Sequence, residues 1–182
     1  YGQQPSASTQ SMPAGSELCQ LVDESGLGIK TVCLGTHPSA LPKRTLREEP
    51  YDFVCEGEGP VTIFELLNVL KAGTEKYEKV PGLWYEQGGA VGFGPKAELI
   101  QDLDRELGGQ AWELLDMSHY RAHNWHCFDS INDRKPYASL QTSLGCPYKC
   151  SFCCINAPFG GPGIRYWSPE LVVGQIDILV NK

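Results

Sequence analysis

The chain has 182 residues with 41% hydrophobic and 10% aromatic content, enough for one or two packed domains, and no apolar run approaches the ~20 residues of a membrane span. A net charge of -7, with Lys and Arg scattered singly among more numerous acids, argues against nucleic acid as a partner. The first residues carry no basic stretch followed by an apolar one, so no export signal is read, and the eight cysteines are expected as thiols in a reducing cytoplasm.

Small residues at Pro5 to Gln10 form a loop, and Ser11 with Pro13 predicts the cap and first turn of a helix reaching Ser25. Gly26 and Gly28 end it. Ile29 to Leu34 reads as a buried strand finishing at Gly35-Thr36-His37-Pro38, and Leu41 to Glu49 as a short charged turn or helix. Tyr51 to Cys55 is a second strand, closed by Glu56-Gly57-Glu58-Gly59. A second helix follows, with apolar Ile63, Leu66, Leu67 and Leu70 at three- and four-residue spacing and a stop at Lys71 and Gly73. Cys19, Cys33 and Cys55 fall in apolar contexts and read as small buried hydrophobes.

Helices alternating with strands, and glycine-rich loops after each strand, predict an α/β fold with the second half of a parallel doubly wound, Rossmann-like sheet. Ligands of such sheets bind at the carboxyl ends of the strands, which would put Ser8-Thr9, Gly35-Thr36-His37 and Gly57-Glu58-Gly59 on one edge. Taken singly, each glycine could equally serve only a tight turn.

From Pro81 the pattern changes to a β-hairpin, Gly82 to Glu86 and Ala90 to Phe93 around Gln87-Gly88-Gly89, which extends or flanks the first domain. Pro95 to Gly109 reads as a solvated acidic connector. In Ala111 to Phe128, a helix would put His119, His123 and His126 on one face with Cys127 beside them, a spacing compatible with a metal. The favoured alternative is an interdomain segment in which Trp112, Tyr120 and Trp125 pack and the histidines bond to backbone.

Ala138 to Ser143 predicts a short strand, and Gly145 and Pro147 force a turn around Cys146. Cys146, Cys150 and Cys153 then follow at C-x3-C-x2-C spacing, with Phe152 before the last and Cys154 directly after it. A closed zinc site or electron-transfer cluster takes four protein ligands, whereas three leave one metal position open. Zinc held with Cys154 as fourth ligand is the competing reading, disfavoured because adjacent side chains diverge. Beyond a glycine turn at Phe159 to Gly163, Ser168-Pro169-Glu170 starts a helix covering Leu171 to Val180.

The cysteine loop, with its intervening aromatic, resembles that of the radical S-adenosylmethionine superfamily. The loops at Pro5 to Thr9, Leu34 to Pro42 and Phe53 to Gly59 are similar to the later loops of the cobalamin-binding domain in the B12-binding members. The resemblance implies a 4Fe-4S cluster on Cys146, Cys150 and Cys153, S-adenosylmethionine on the open iron with Phe152 beside its adenine, and a cobalamin. Ser8 and Thr9 would face the cobalamin tail, with Gly35, Thr36, Gly57, Glu58 and Gly59 letting the backbone approach it. The cobalt-ligating histidine loop of many cobalamin domains would lie upstream of Tyr1; His37 is a weak substitute.

On this resemblance, residues 1–80 are the later part of the cobalamin-binding domain, 81–135 a hairpin and linker, and 136–182 the start of a partial (β/α) TIM-type radical barrel. The chain starts at Tyr1 and stops within a periodic segment at Lys182, which suggests a piece of a longer protein, inactive by itself. The implied activity is radical methylation of an unactivated carbon, with a small-molecule or peptide substrate and a reducing protein such as a flavodoxin or ferredoxin. A non-methylating rearrangement or cyclisation, or a non-catalytic iron–sulfur or zinc module, are the alternatives.

Overall fold

A computed structural model describes residues 8–122 and 136–181. In chain order these form α1 (Ser8–Glu24), β1 (Val32–Cys33), α2 (Thr36–Ala40), α3 (Pro42–Glu48), β2 (Phe53–Cys55), α4 (Pro60–Lys71), β3 (Leu83–Gln87), β4 (Ala90–Phe93), α5 (Leu103–Glu106), β5 (Ser143–Cys146), β6 (Gly163–Tyr166) and α6 (Pro169–Asn181). The fold is α/β. One sheet has the order β1-β2-β3-β4, and β5 and β6 make a second, two-stranded one.

Pairing explains why the first sheet sits where it does. β1 and β2 run parallel, Val32 opposite Phe53 and Cys33 opposite Val54, linked by a crossover through α2 and α3. The Gly88-Gly89 turn then returns the chain, and β3 and β4 add antiparallel strands beside β2. Both turn residues hold positive φ, 60° and 77°, as a two-residue hairpin turn matched to strand twist requires. The expected hairpin therefore extends the first sheet.

Alternate residues of β2 face opposite sides, and each side carries its own core. Phe53 packs with Leu66, Val80, Leu83 and Tyr85 against α4; Val54 packs with Met12, Cys33 and Leu46 against α1 and α3. The sheet is thus covered on both faces, the layering that burial of two apolar sheet faces demands.

Several local expectations shift. α1 begins at Ser8, so Pro13 lies inside it, where it cannot donate to the Thr9 carbonyl. β1 is only two residues long, with Ile29 and Leu34 exposed, and among the described residues it pairs only with β2. α4 presents Thr62, Leu66, Val69 and Leu70 inward, and Leu67 is 58% exposed. Thr62 can be buried because its Oγ1 donates to the Pro81 carbonyl at 2.7 Å.

By contacts, residues 1–99 with 145–163 make one compact unit, and 100–144 with 164–182 another. In the second, the supposed solvated connector contains α5. The Asp102 side chain caps it, accepting from the Arg105 N–H at 3.1 Å, and Ile100 and Leu103 are buried. α6 begins as read: Ser168 Oγ accepts from the Leu171 N–H at 3.2 Å, and Asp104 accepts from the Ser168 N–H at 2.9 Å.

Among the described residues of the histidine segment, 111–122, no continuous helix forms. Two short 3-10 turns, Trp112–Leu114 and Met117–His119, are followed by an extended residue, Arg121, bridged to Pro136. Packing decides this local structure: Trp112 is buried and donates from Nε1 to Gln175 Oε1 at 2.8 Å, and the Gln110 N–H donates to the same oxygen at 3.0 Å. Tyr120, expected to pack, is 46% exposed. His123, His126, Cys127 and Trp125 lie outside the described residues. No described helix is long and apolar enough to cross a membrane.

Candidate functional site

The parallel pairing of β1 and β2 fixes the first half of the site. Both strands end in the same direction, so the loops after Cys33 and Cys55 leave from one sheet edge. Gly35 precedes α2 with φ 122°, Gly57 has φ 119°, and Gly59 precedes α4 with φ 105°, conformations that side chains with a Cβ adopt only with strain.

Ser39, unremarkable in the sequence, ties the two loops together. The Gly57 N–H donates to its Oγ at 3.1 Å, and Ser39 itself is buried. Thr36 is the partly buried first residue of α2, and Glu58 is partly buried in its turn. The start of α1 joins the same edge, with Thr9 Oγ1 and His37 Nδ1 sharing a 2.9 Å hydrogen bond. Ser8 opens α1. His37 is therefore held through one ring nitrogen by the Thr9 side chain.

The cysteine loop belongs to the same compact unit. The strand leading into it is Ser143–Cys146, five residues later than the alternation of Ala138 to Ser143 suggests, so Cys146 is the last strand residue. Gly145, at φ 94°, sets the bend before it. The Cys153 N–H donates to the Cys150 carbonyl at 3.1 Å, closing a turn that carries Phe152, 91% exposed, at its tip. The Ala157 N–H donates to the Cys154 carbonyl at 2.9 Å and leads into a 3-10 turn, Ala157–Phe159, ended by Gly160 with φ 68°.

That 3-10 turn packs on α2, and the Pro158 carbonyl lies 3.9 Å from where a Cβ on Gly57 would stand. The tail of the cysteine loop and the glycine loops of the sheet edge are therefore neighbours.

Cys146 is partly buried, Cys150, Cys153 and Cys154 are exposed, and all are free thiols. Among the described residues no three His, Cys, Asp or Glu side chains converge at metal-binding distance, so the motif cysteines share a loop without being drawn to one point. Cys19, Cys33 and Cys55 are buried thiols in the core, as their apolar contexts suggest. Burial pushes the Cys33 thiol up to about 11 and raises those of Cys19 and Cys55. His119 is exposed, with Nε2 3.3 Å from Asp116, and belongs to no group of three potential metal ligands among the described residues.

No family model matches the chain. Among curated proteins it is 32% identical over 95% of its length to an uncharacterized methyltransferase of Pyrococcus horikoshii, covering 35% of that protein. It is 29% identical over 90% of its length to the anaerobic magnesium-protoporphyrin IX monomethyl ester cyclase of Rubrivivax gelatinosus, covering 28% of it. To the cobalamin-dependent radical SAM methyltransferase TokK of Streptomyces tokunonensis it is 29% identical over 75% of its length, covering 19%. The chain thus spans about a third or less of the length of these relatives. Over most of its length the chain is similar to B12-dependent radical S-adenosylmethionine enzymes, methyltransferases among them.

Proposed function

We propose that this chain carries the cofactor-holding core of a cobalamin-dependent radical enzyme, with methyl transfer to an unactivated carbon as its reaction. The observation that carries this reading is the loop after β5, three free thiols at C-x3-C-x2-C spacing with an exposed aromatic between the last two. Three soft donors on one loop fit a thiolate-bound iron–sulfur centre with an open position. On this reading Cys146, Cys150 and Cys153 hold a 4Fe-4S cluster, and the exposed ring of Phe152 offers a face for an adenine.

The sheet edge supplies the second half. Gly35, Gly57 and Gly59 keep the main chain bare where a corrin and its tail would lie, with Ser8, Thr9, Thr36 and Glu58 as the polar groups around it. Packing of the Ala157–Phe159 turn on α2 keeps the cysteine loop next to that edge, the proximity that transfer between two cofactors needs. When bound, the cluster with S-adenosylmethionine supplies a carbon-centred radical and the cobalamin a methyl group. The domains are read as a cobalamin-binding part over residues 1–80 with Rossmann-like winding, a linker over 81–135, and the start of a (β/α) barrel over 136–182. A reducing cytoplasm and a small reducing protein suit this chemistry.

Similarity to magnesium-protoporphyrin ester cyclases over 90% of the chain favours a second reading, in which the same cofactors drive an oxidative cyclisation without methyl transfer. Anaerobic reconstitution with iron and sulfide, followed by electron paramagnetic resonance (EPR) of the reduced protein, tests the shared part. A four-iron signal that shifts on adding S-adenosylmethionine and disappears in Cys150→Ala is expected; tight stoichiometric zinc and no iron signal would sink both readings.

A further inference from the structure

The cysteine loop is closed across its base by one side chain that no motif marks. Asn156 Nδ2 donates to the Tyr148 carbonyl at 2.8 Å, so the amide spans the segment containing Cys150 and Cys153. Its other end is unusual: Oδ1 is buried, with no hydrogen-bond partner among the described residues. Buried polar atoms are nearly always satisfied, so an orphan acceptor at a binding loop is completed by an ordered water or by a bound group. The Nδ2 assignment is fixed by the Tyr148 carbonyl, which can only accept, so the orphan is an acceptor.

The chemistry of that acceptor selects its partner. Thiolates and the sulfides of an iron–sulfur cluster accept hydrogen bonds and offer none, so a cluster on the three cysteines leaves the oxygen unsatisfied. Only an N–H or O–H donor satisfies it. We propose that Asn156 is a double-ended residue of this loop: Nδ2 positions the cysteines by bracing Tyr148, and Oδ1 accepts a hydrogen bond from the amino group of the small molecule bound at the open metal position. This rests on the cluster reading above and adds to it a residue outside the cysteine motif.

The test uses the anaerobically reconstituted chain, with iron and sulfide content of the unsubstituted protein reporting first. If it holds no cluster, both the cluster reading and this proposal fall. If it does, Asn156→Ala and Asn156→Asp are compared with it. Both lack the N–H that braces Tyr148, and both are expected to lose iron to a chelator about tenfold faster than the parent, with unchanged thermal melting of the core. The EPR change produced by S-adenosylmethionine is expected to need about tenfold more of it in Asn156→Ala, the order of one lost hydrogen bond. Asn156→Asp keeps an acceptor oxygen and should stay closer to the parent in that titration. Parent-like iron retention in both variants would overturn the bracing role; identical S-adenosylmethionine titrations in parent and Asn156→Ala would overturn the acceptor role.

Discussion

Asp52 shows how much of this small unit's order depends on single polar side chains. Its carboxylate accepts from Lys30 Nζ at 2.6 Å, from the Thr31 N–H at 2.8 Å and from Thr31 Oγ1 at 2.9 Å, stitching the entry of β1 to that of β2. Partial burial pulls its pKa up, but these donors outweigh it and hold the carboxyl below the ordinary aspartate range. A carboxyl with a depressed folded pKa stabilises above its unfolded value, near 3.9, and loses that contribution as pH falls through the lower folded value. Asp52→Asn is therefore expected to cost about 1 to 2 kcal/mol at pH 7, discounted for its partial exposure, and much less at pH 3. Urea melts at the two pH values check this; an equal loss at both would mean that shape, and not charge, matters at the site.

At the scale of elements, the cysteines divide into two populations by where the fold puts them. Cys19, Cys33 and Cys55 are inside the α1, β1 and β2 layers, and burial holds their thiols protonated; Cys150, Cys153 and Cys154 stand in solvent on the loop after β5. Iodoacetamide at pH 8 is expected to label the loop cysteines at least tenfold faster than the core ones in metal-free protein. After iron loading, Cys150 and Cys153 should become protected while Cys154 stays reactive; protection of Cys154 instead would point to the zinc arrangement. Mass spectrometry of the labelled peptides reads both. The two populations were legible in the sequence, because apolar flanks and a Gly-Cys-Pro turn are local signals. So were the hairpin, from Gly88-Gly89, and the start of α6, from Ser168-Pro169. What escaped was set by distant partners: β5 lies where β6 can pair with it, α4 turns on its axis because Pro81 offers Thr62 an acceptor, and Gln175 holds the segment at Trp112 in short turns where histidine spacing suggested a helix. Ser39 and Asn156 carry no sequence signal at all, since each matters only through a carbonyl or amide brought to it by the fold.

For the whole molecule, the question is how much of the proposed radical chemistry these loops can perform. Holding a cluster needs only the local donor set, whereas cleaving S-adenosylmethionine needs that molecule oriented against the cluster and water kept out, which takes walls on all sides. The described structure supplies few such walls. Phe152 and Tyr148 stand largely in solvent, and α4 and α6 leave Phe64, Leu67, Val173 and Val180 exposed, apolar surface that normally marks a place for further packing. The relatives are about three times as long as the matched stretch or longer. We therefore expect the 182-residue chain, reconstituted and reduced with dithionite, to retain iron yet form no 5'-deoxyadenosine above the rate of a Cys150→Ala control. A chain of the relatives' length, treated identically, should form it at a rate at least a hundredfold higher. Chromatographic measurement of 5'-deoxyadenosine in the two preparations decides the matter: release by the short chain would mean that the loop after β5 and the sheet edge beside it already orient S-adenosylmethionine, and that the additional length serves substrate and cobalamin instead.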